Sequence, residues 1–196
     1  MAGNVKIRVF VPTCEDQRNK VLEDAIKAAE QNMGITLEVW PIDVCATMAI
    51  LSSNNASHII AKLIENGYNP HETSIFFVRK DIHTDSTNWC FGATVDQTIV
   101  ISDYKVWHST TNYATKTAML LFLIEHELGH VYGAADDVRA SGIYDKHCKD
   151  DKCVMRQVTS VDELADFAKQ LIVKRKDNGC YCKHCQKRFD LFYGRA

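Results

Sequence analysis

The chain has 196 residues, of which 24% are charged and 46% are hydrophobic, and its formal net charge is −2. This length suffices for one domain with a substantial core, and the near-neutral charge argues against nucleic-acid binding through bulk electrostatics. No apolar run is long enough to span a membrane. The first residues lack the charged start and long apolar core of a secretory signal, so we expect a cytoplasmic protein.

The first half of the chain predicts alternating strands and helices. Residues 5–11 and 35–40 are rich in β-branched residues and each run meets a proline, which is typical of strands. Apolar residues recur at helical spacing over residues 15–31, and a second helix is predicted over residues 56–65. Residues 74–78 form an almost continuous apolar run. Such a run predicts a central strand that is covered on both faces.

The second half predicts a hairpin, a long helix and a last amphipathic helix. Residues 89–95 and 98–102 form two predicted strands joined by a two-residue turn. If one of them is a sheet edge, it could bind an extended peptide by strand addition. The long helix covers residues 113–132, with Gly133 where a left-handed cap is expected, and the last helix covers residues 161–176. The order of elements predicts an α/β (α+β) fold with a mixed twisted sheet.

The long helix carries a His-Glu-x-x-His motif at residues 126–130. Residues four apart share a helix face, so His126 and His130 can present two imidazoles to one metal ion. Glu127 lies about 100° around the helix from His126, which places it beside the metal rather than on it. This arrangement is typical of zinc hydrolases, in which such a carboxylate is the general base for an activated water.

A solvated helix face is the alternative interpretation of this motif. The motif follows directly on the apolar residues 120–124, and the segment is too apolar for a surface helix. Burying these polar side chains without partners would cost roughly 1–3 kcal/mol for each group. A bound metal removes that cost, so we favour the zinc site.

A catalytic zinc needs a third protein ligand, and the sequence offers two candidates. Local spacing leads from His130 through Gly133 to Asp136, which matches the extended metzincin signature with Asp in place of the final His. Asp is a chemically acceptable ligand at that position, and the snapalysins, a small secreted metzincin group, use it there. His147 is the second candidate, since zinc sites use histidine more often.

Cysteines crowd the C-terminal quarter of the chain: Cys148, Cys153, Cys180, Cys182 and Cys185. Cys148 and Cys153 form a Cys-x4-Cys pair, and Cys182 and Cys185 form a Cys-x2-Cys pair. This spacing favours a tetrahedral structural zinc site over disulfides, which a chain of this size does not need. Cys180 competes with Cys182 but has no partner at the preferred spacing. The other three cysteines are expected to be core or surface thiols: Cys14, Cys45 and Cys90.

The order of these residues resembles the archaemetzincins. In that family the third histidine is followed at once by Cys-x4-Cys-x-Met and later by Cys-x2-Cys, and here His147 leads into Cys148, Cys153 and Met155. The resemblance covers roughly the C-terminal third of the chain. It departs from the family in two places. Residues 134–146 lie where the family has only two residues, and the stretch from Met155 to the last cysteine pair is longer than usual.

The resemblance implies a zinc metallopeptidase of the metzincin clan with a zincin-type fold. His126, His130 and His147 would bind the catalytic zinc, Glu127 would be the general base, and Met155 would be the Met-turn residue beneath the site. A second, structural zinc would bind four cysteines and brace the C-terminal segment: Cys148, Cys153, Cys182 and Cys185. From the resemblance we therefore expect two bound Zn2+ ions and a peptide or protein as the substrate.

We predict His147 as the third ligand, with Asp136 as the alternative. The family register and the commoner use of histidine on zinc both favour His147. The insertion that precedes it need not displace it, since doubling the length of a surface loop costs only about 0.6 kcal/mol.

The sequence thus predicts one metzincin-like catalytic domain over residues 1–196. Residues 1–133 would carry the sheet and the active-site helix, and residues 134–196 would carry the Met-turn and the four-cysteine site. We expect a monomer with no nucleic-acid or membrane partner. Two alternatives stay open: a non-catalytic zinc-stabilised binding module, and a zinc hydrolase with a non-peptide substrate, because the motif specifies the attacking water and not the substrate.

Overall fold

The structure is a computed structural model that describes residues 6–13, 17–42, 52–85, 87–135, 147–178 and 180–192, with backbone alone for residues 172–178. The described strands are β1 (Lys6–Pro12), β2 (Thr36–Ile42), β3 (Ser74–Val78), β4 (Ile82–Thr84), β5 (Thr87–Cys90), β6 (Gly92–Val95) and β7 (Thr98–Ser102). The described helices are α1 (Gln17–Met33), α2 (Ala56–Glu65), α3 (Tyr104–His108), α4 (Tyr113–Val131), α5 (Val161–Asn178) and α6 (Lys183–Phe192).

Five of these strands form a mixed sheet in the order β2-β1-β3-β7-β6. Strands β2, β1, β3 and β7 are parallel, and β6 pairs antiparallel with β7 at the edge of the sheet. The continuous apolar run that predicted a central strand is β3, which lies in the middle of the sheet with all five residues buried. The predicted mixed α/β architecture is confirmed.

Helices cover both faces of the sheet, and the strand residues alternate between them. Ile75 and Phe77 of β3 face the larger core, which they share with α1, α4 and α5, whereas Phe76 faces a smaller core with α2. Phe76 stacks on Phe10 of β1 with ring centroids 4.5 Å apart. The alternation follows from the two-residue period of a strand.

Helix α4, which carries the His-Glu-x-x-His motif, is buried along most of its length. Its side chains from Ala118 to Gly129 are all buried, because the helix packs against the sheet, α1 and α5. Its N-cap is Asn112, whose side chain accepts a hydrogen bond from the backbone N–H of Thr115 at 3.0 Å. After it, Gly133 adopts a φ of 62°, the left-handed conformation expected for this glycine.

The predicted strand over residues 89–95 is wrong as a single element. Ser102, the last residue of β7, donates its N–H to the carbonyl of Phe91 at 2.7 Å. Residues before Phe91 therefore run past the end of β7 and have no partner there. They form β5 instead, which pairs antiparallel with the short strand β4. This two-stranded sheet was not predicted.

Other elements differ from the sequence-based expectation at their ends. Strand β2 continues through Pro41 to Ile42, which is possible because β2 is an edge strand and Pro41 has no ladder hydrogen bond to lose on its open side. The helices α3 and α6 were not predicted. None of the described helices is both long and apolar enough to cross a membrane. The division at residue 133 stays a prediction, since residues 136–146 lie outside the described part of the chain.

Candidate metal centre and cleft

Three histidines converge on one point above α4. His126 and His130 lie one helical turn apart, with their Nε2 atoms 3.1 Å from each other. His147 is the first described residue after position 135. One ring nitrogen of each lies within 4.8 Å of the others. Zinc–nitrogen bonds of about 2.0–2.1 Å in a tetrahedral site place two ligand nitrogens about 3.3 Å apart. The spacing of the helical pair therefore fits a zinc ion.

A hydrogen bond fixes the orientation of the first histidine. Nδ1 of His126 lies 2.7 Å from the carbonyl oxygen of Val154, which can only accept, so Nδ1 carries the proton and Nε2 is left with its lone pair. Burial lowers the pKa of His126 to about 4, opposed by the bond to Val154 and reinforced by the nearby His147. His126 is therefore neutral at pH 7, which is the form that binds metals.

Glu127 lies against the edge strand β6, beside the histidines. Its side chain is buried, and the Thr94 hydroxyl donates a hydrogen bond of 2.6 Å to its Oε2. Burial raises the pKa of Glu127 to about 7, and the bond from Thr94 opposes that rise. A carboxyl group whose pKa lies near neutrality is suited to accept a proton and to return it.

The neighbouring Glu125 belongs to the core and not to the metal centre. It is fully buried, and its Oε1 accepts a hydrogen bond of 2.9 Å from the side-chain amide of Asn32 on α1. Its backbone carbonyl accepts a hydrogen bond of 2.7 Å from the hydroxyl of Tyr181. The two glutamates of the motif segment therefore have different surroundings, because they lie about 200° apart around the helix.

The histidines and Glu127 lie in a cleft of about 910 Å³. Its walls are formed by β5, β6, α4 and the segment before α5, with a mixture of apolar and hydroxyl side chains: Trp89, Phe122, Leu123, Val158 and Thr159. A volume of this size accommodates several residues of a peptide or a small molecule.

Strand β6 lies along this cleft and is an edge of the sheet that the described residues form. The N–H of Ser102 donates to the carbonyl of Phe91, which lies opposite it, and the register continues with Gly92 opposite Ile101. Hydrogen-bonded and non-hydrogen-bonded pairs alternate in an antiparallel ladder. The N–H and C=O groups of Gly92 and Thr94 therefore point away from β7, toward the open edge of the sheet.

Four cysteines form a second group of possible metal ligands, with their sulfur atoms within 4.8 Å of one another: Cys148, Cys153, Cys182 and Cys185. The Sγ atoms of Cys148 and Cys182 are 3.7 Å apart, which matches the spacing of about 3.8 Å that tetrahedral zinc–sulfur bonds of about 2.3 Å require. All four are free thiols. A hydrogen bond from Cys185 lowers the pKa of Cys153 to about 6. Burial raises the pKa of Cys148 to about 11, and the hydrogen bond to Cys153 raises that of Cys185. Among these three thiols, Cys153 is therefore the one that ionises most readily.

The two groups are joined by the segment from His147 to Met155. His147 and Cys148 are neighbours, and Val154, which holds His126, directly follows Cys153. The segment closes on itself through a 2.8 Å hydrogen bond from the N–H of Cys148 to the carbonyl of Met155. A metal bound by the cysteines would therefore fix the position of two contacts in the histidine centre.

Met155 is fully buried and lies beneath the motif helix, at Gly129. A Cβ atom added at residue 129 would overlap Met155 Sδ and would lie 3.2 Å from Cε1 of Tyr181. The glycine within the His-Glu-x-x-His motif thus allows Met155 to approach the helix backbone. The Met-turn role of Met155 stays a prediction.

We expect Gly129→Ala to destabilise the protein. Alanine alone would favour the helix by about 1 kcal/mol, but overpacking a filled core costs about 1–3 kcal/mol, and the overlap with Met155 is severe. Urea-induced unfolding of the zinc-loaded protein should show a net loss of free energy of unfolding.

A Gly129→Ala/Met155→Ala double variant is the control for this prediction. If the overlap is the cause, Gly129→Ala should cost little when Met155 is already truncated, because the two changes share one contact. A Gly129→Ala variant more stable than the unmodified chain would contradict the packing described here.

Several predicted residues lie outside the described part of the chain, among them Asp136, Cys14 and Cys45. The structure thus brings His147 to the other two histidines, and the alternative ligand Asp136 stays untested. Cys180 is buried outside the cysteine group, and its carbonyl accepts a 3.0 Å hydrogen bond from the N–H of Val154. Sequence reasoning missed Thr94, because nothing in a strand pattern indicates which helix side chain the strand will contact.

Comparison with known proteins gives matches at the level of structure alone. No protein-family model matches the sequence, and no curated protein matches it significantly. An archaemetzincin from Methanopyrus kandleri is 14% identical to this chain. The structural alignment covers 98% of this chain and 97% of the archaemetzincin, with a TM-score of 0.65. An archaemetzincin from Archaeoglobus fulgidus, complexed with malonate, is 20% identical to this chain. Its alignment covers 93% of this chain and 99% of the archaemetzincin, with a TM-score of 0.62.

A third solved structure extends this similarity. A zinc-dependent peptidase from Methanocorpusculum labreanum is 14% identical and covers 93% of this chain and 99% of its own, with a TM-score of 0.65. Identities this low show a shared fold, and the coverage shows that the likeness extends well beyond the C-terminal motifs. The chain therefore has the fold of the archaemetzincins over nearly its whole length.

Proposed function

We propose that this protein is a zinc-dependent metallopeptidase with a catalytic zinc held by His126, His130 and His147. The observation that carries the proposal is the convergence of three imidazoles beside a buried carboxylate in an open cleft. The names of the fold neighbours, archaemetzincin and zinc-dependent peptidase, support it.

Each residue of the site has a separate role in the proposed reaction. When bound, zinc supplies Lewis acidity, which lowers the pKa of water and polarises a carbonyl. Glu127 takes the proton of the attacking water and later gives it to the leaving amine. His126 is kept neutral and correctly oriented by burial and by its bond to Val154. The preformed cleft walls hold the substrate over these groups.

The open edge of β6 supports a peptide as the substrate. The backbone groups of Gly92 and Thr94 point outward from the sheet at the level of Glu127, which both residues contact. An extended peptide can add to such an edge as a further strand. The backbone of that peptide would then pass over the carboxylate. This arrangement favours peptide bonds as the substrate over esters and other amides.

The four-cysteine group supports a second, structural zinc in this proposal. The sulfur spacing fits a closed tetrahedral site, and such sites contribute directly to folding. It would anchor α6 and the segment from His147 to Met155 against α4. Its role would be to position the histidine centre without contact to the substrate.

Hydrolysis of internally quenched peptides by the purified zinc-loaded protein tests the proposal. We expect cleavage that is lost on treatment with a chelator and is restored by added Zn2+. Mass spectrometry of the products should identify hydrolysed peptide bonds. A fully zinc-loaded protein that cleaves none of a diverse peptide library would contradict the peptidase assignment.

A comparison of His147→Ala with Asp136→Ala tests the third ligand. We expect His147→Ala to lose the catalytic zinc on dialysis and to lower activity by roughly 100-fold or more, since a catalytic zinc needs three protein ligands. Asp136→Ala should keep the zinc and most of the activity. Zinc content and peptide hydrolysis are measured on both variants, and the reverse result would assign the ligand to Asp136.

A further inference from the structure

The hydroxyl of Thr94 reaches Glu127 from a different layer of the fold. Thr94 is on the edge strand β6, 33 residues before Glu127 on α4, and donates a 2.6 Å hydrogen bond to Oε2. Among the described residues, Thr94 is the hydrogen-bond donor to the carboxylate of Glu127. It is charge-assisted when Glu127 is ionised, and such bonds are short and strong.

The same strand touches the other carboxylate oxygen through Gly92. A Cβ atom at residue 92 would lie 2.5 Å from Oε1 and 2.8 Å from Cδ of Glu127. Gly92 and Thr94 are two residues apart and so lie on the same face of β6. One residue therefore leaves room for Oε1, and the other binds Oε2.

These contacts restrict a torsion that is otherwise loose. The terminal torsion of a glutamate side chain has a broad distribution, and a carboxylate that turns freely presents its oxygens to the water in many directions. Burial limits the travel of the side chain, but it does not select a direction for the two oxygens. A hydrogen-bond donor on a rigid strand of the sheet selects that direction, because it holds one oxygen in place.

We propose that Thr94 is a positioning residue for the general base. Its hydroxyl holds Oε2, and this leaves Oε1 to take the proton from the attacking water. The inference rests on the proposed function, because it assigns Thr94 a role in the reaction of Glu127. Because β6 is also the strand to which a peptide would add, one element aligns both the substrate and the base.

Kinetics of Thr94→Val and Thr94→Ser test this role. Valine keeps the shape and the strand preference of threonine but removes the donor, so we expect kcat to fall roughly 10–100-fold, the effect of losing one charged hydrogen bond. KM should stay within about twofold, since the backbone that pairs with substrate is unchanged. Serine keeps the donor and should restore kcat to within about threefold of the unmodified enzyme.

Two further variants separate positioning from general damage to the strand. Val95→Thr changes an exposed side chain on the opposite face of β6 and should leave kcat unchanged. Gly92→Ala should lower kcat and keep the protein folded, since the three atoms nearest to the added methyl group all belong to the flexible end of Glu127. Zinc content and the thermal unfolding midpoint are measured on every variant.

Each outcome decides the matter. An inactive unmodified enzyme would overturn the proposed function and this inference together. An active enzyme whose Thr94→Val variant is equally fast would overturn the inference alone, as would a Thr94→Ser variant as slow as Thr94→Val. A Thr94→Val variant that loses its zinc or fails to fold would show that the hydroxyl is structural, which also overturns it.

Discussion

Glu127→Gln should lower the rate of peptide hydrolysis by roughly 10²–10⁴-fold while the protein keeps its zinc, because a glutamine side chain cannot accept the proton of the attacking water. The amide has nearly the same shape as the carboxylate, and its oxygen can still accept the hydrogen bond from Thr94. The three histidines are unchanged. The measurement is kcat/KM on a peptide substrate together with zinc content by atomic absorption.

Glu125→Gln is the matched control for this prediction. Glu125 lies two residues away on the same helix, but it contacts Asn32 of α1 and not the cleft. Its substitution should leave the rate per bound zinc within about threefold of the unmodified enzyme. If Glu127→Gln hydrolyses peptides at full rate, Glu127 is not the general base and the mechanism proposed here is wrong.

Cys185→Ser should release metal from both centres. Cys185 is fully buried in the four-cysteine group, and structural zinc contributes on the order of 10 kcal/mol to folding in small zinc-binding peptides. Without that metal the segment from His147 to Met155 loses its anchor at Cys148 and Cys153. The histidine centre then loses its third ligand and the carbonyl that orients His126.

Cys180→Ser is the control, since Cys180 is a buried neighbour outside the sulfur group. We expect it to keep both metals and most of the activity. Cobalt substitution distinguishes the centres, because thiolate ligands give cobalt a strong charge-transfer absorption that histidine ligands do not. If Cys185→Ser keeps metal at the histidine centre with unchanged affinity, then the two centres are independent of each other.

The sequence predicted best the elements whose determinants are local. The bounds of α4 follow from a long apolar run and from Gly133, and the structure places the helix at Tyr113–Val131. Strand β3 was predicted to be central because its apolar run is continuous. The spacing of His126 and His130 predicted their convergence, because four residues is one helical turn.

Features that depend on tertiary contacts were not predictable in this way. The break between β5 and β6 depends on where β7 ends, at Ser102, which a strand pattern does not show. The contact between Thr94 and Glu127 depends on which strand lies over α4. The approach of His147 was inferred through the family resemblance, because residues 134–146 separate it from the helix and local spacing alone pointed to Asp136.

The most direct test of the account is a crystal structure of the zinc-loaded protein with anomalous data at the zinc edge. We predict one anomalous peak within about 2.0–2.1 Å of ring nitrogens of His126, His130 and His147, and a second within about 2.3 Å of four cysteine sulfurs. Histidine rings that turn away from one another, or that bond to backbone groups with no metal between them, would contradict the catalytic centre proposed here.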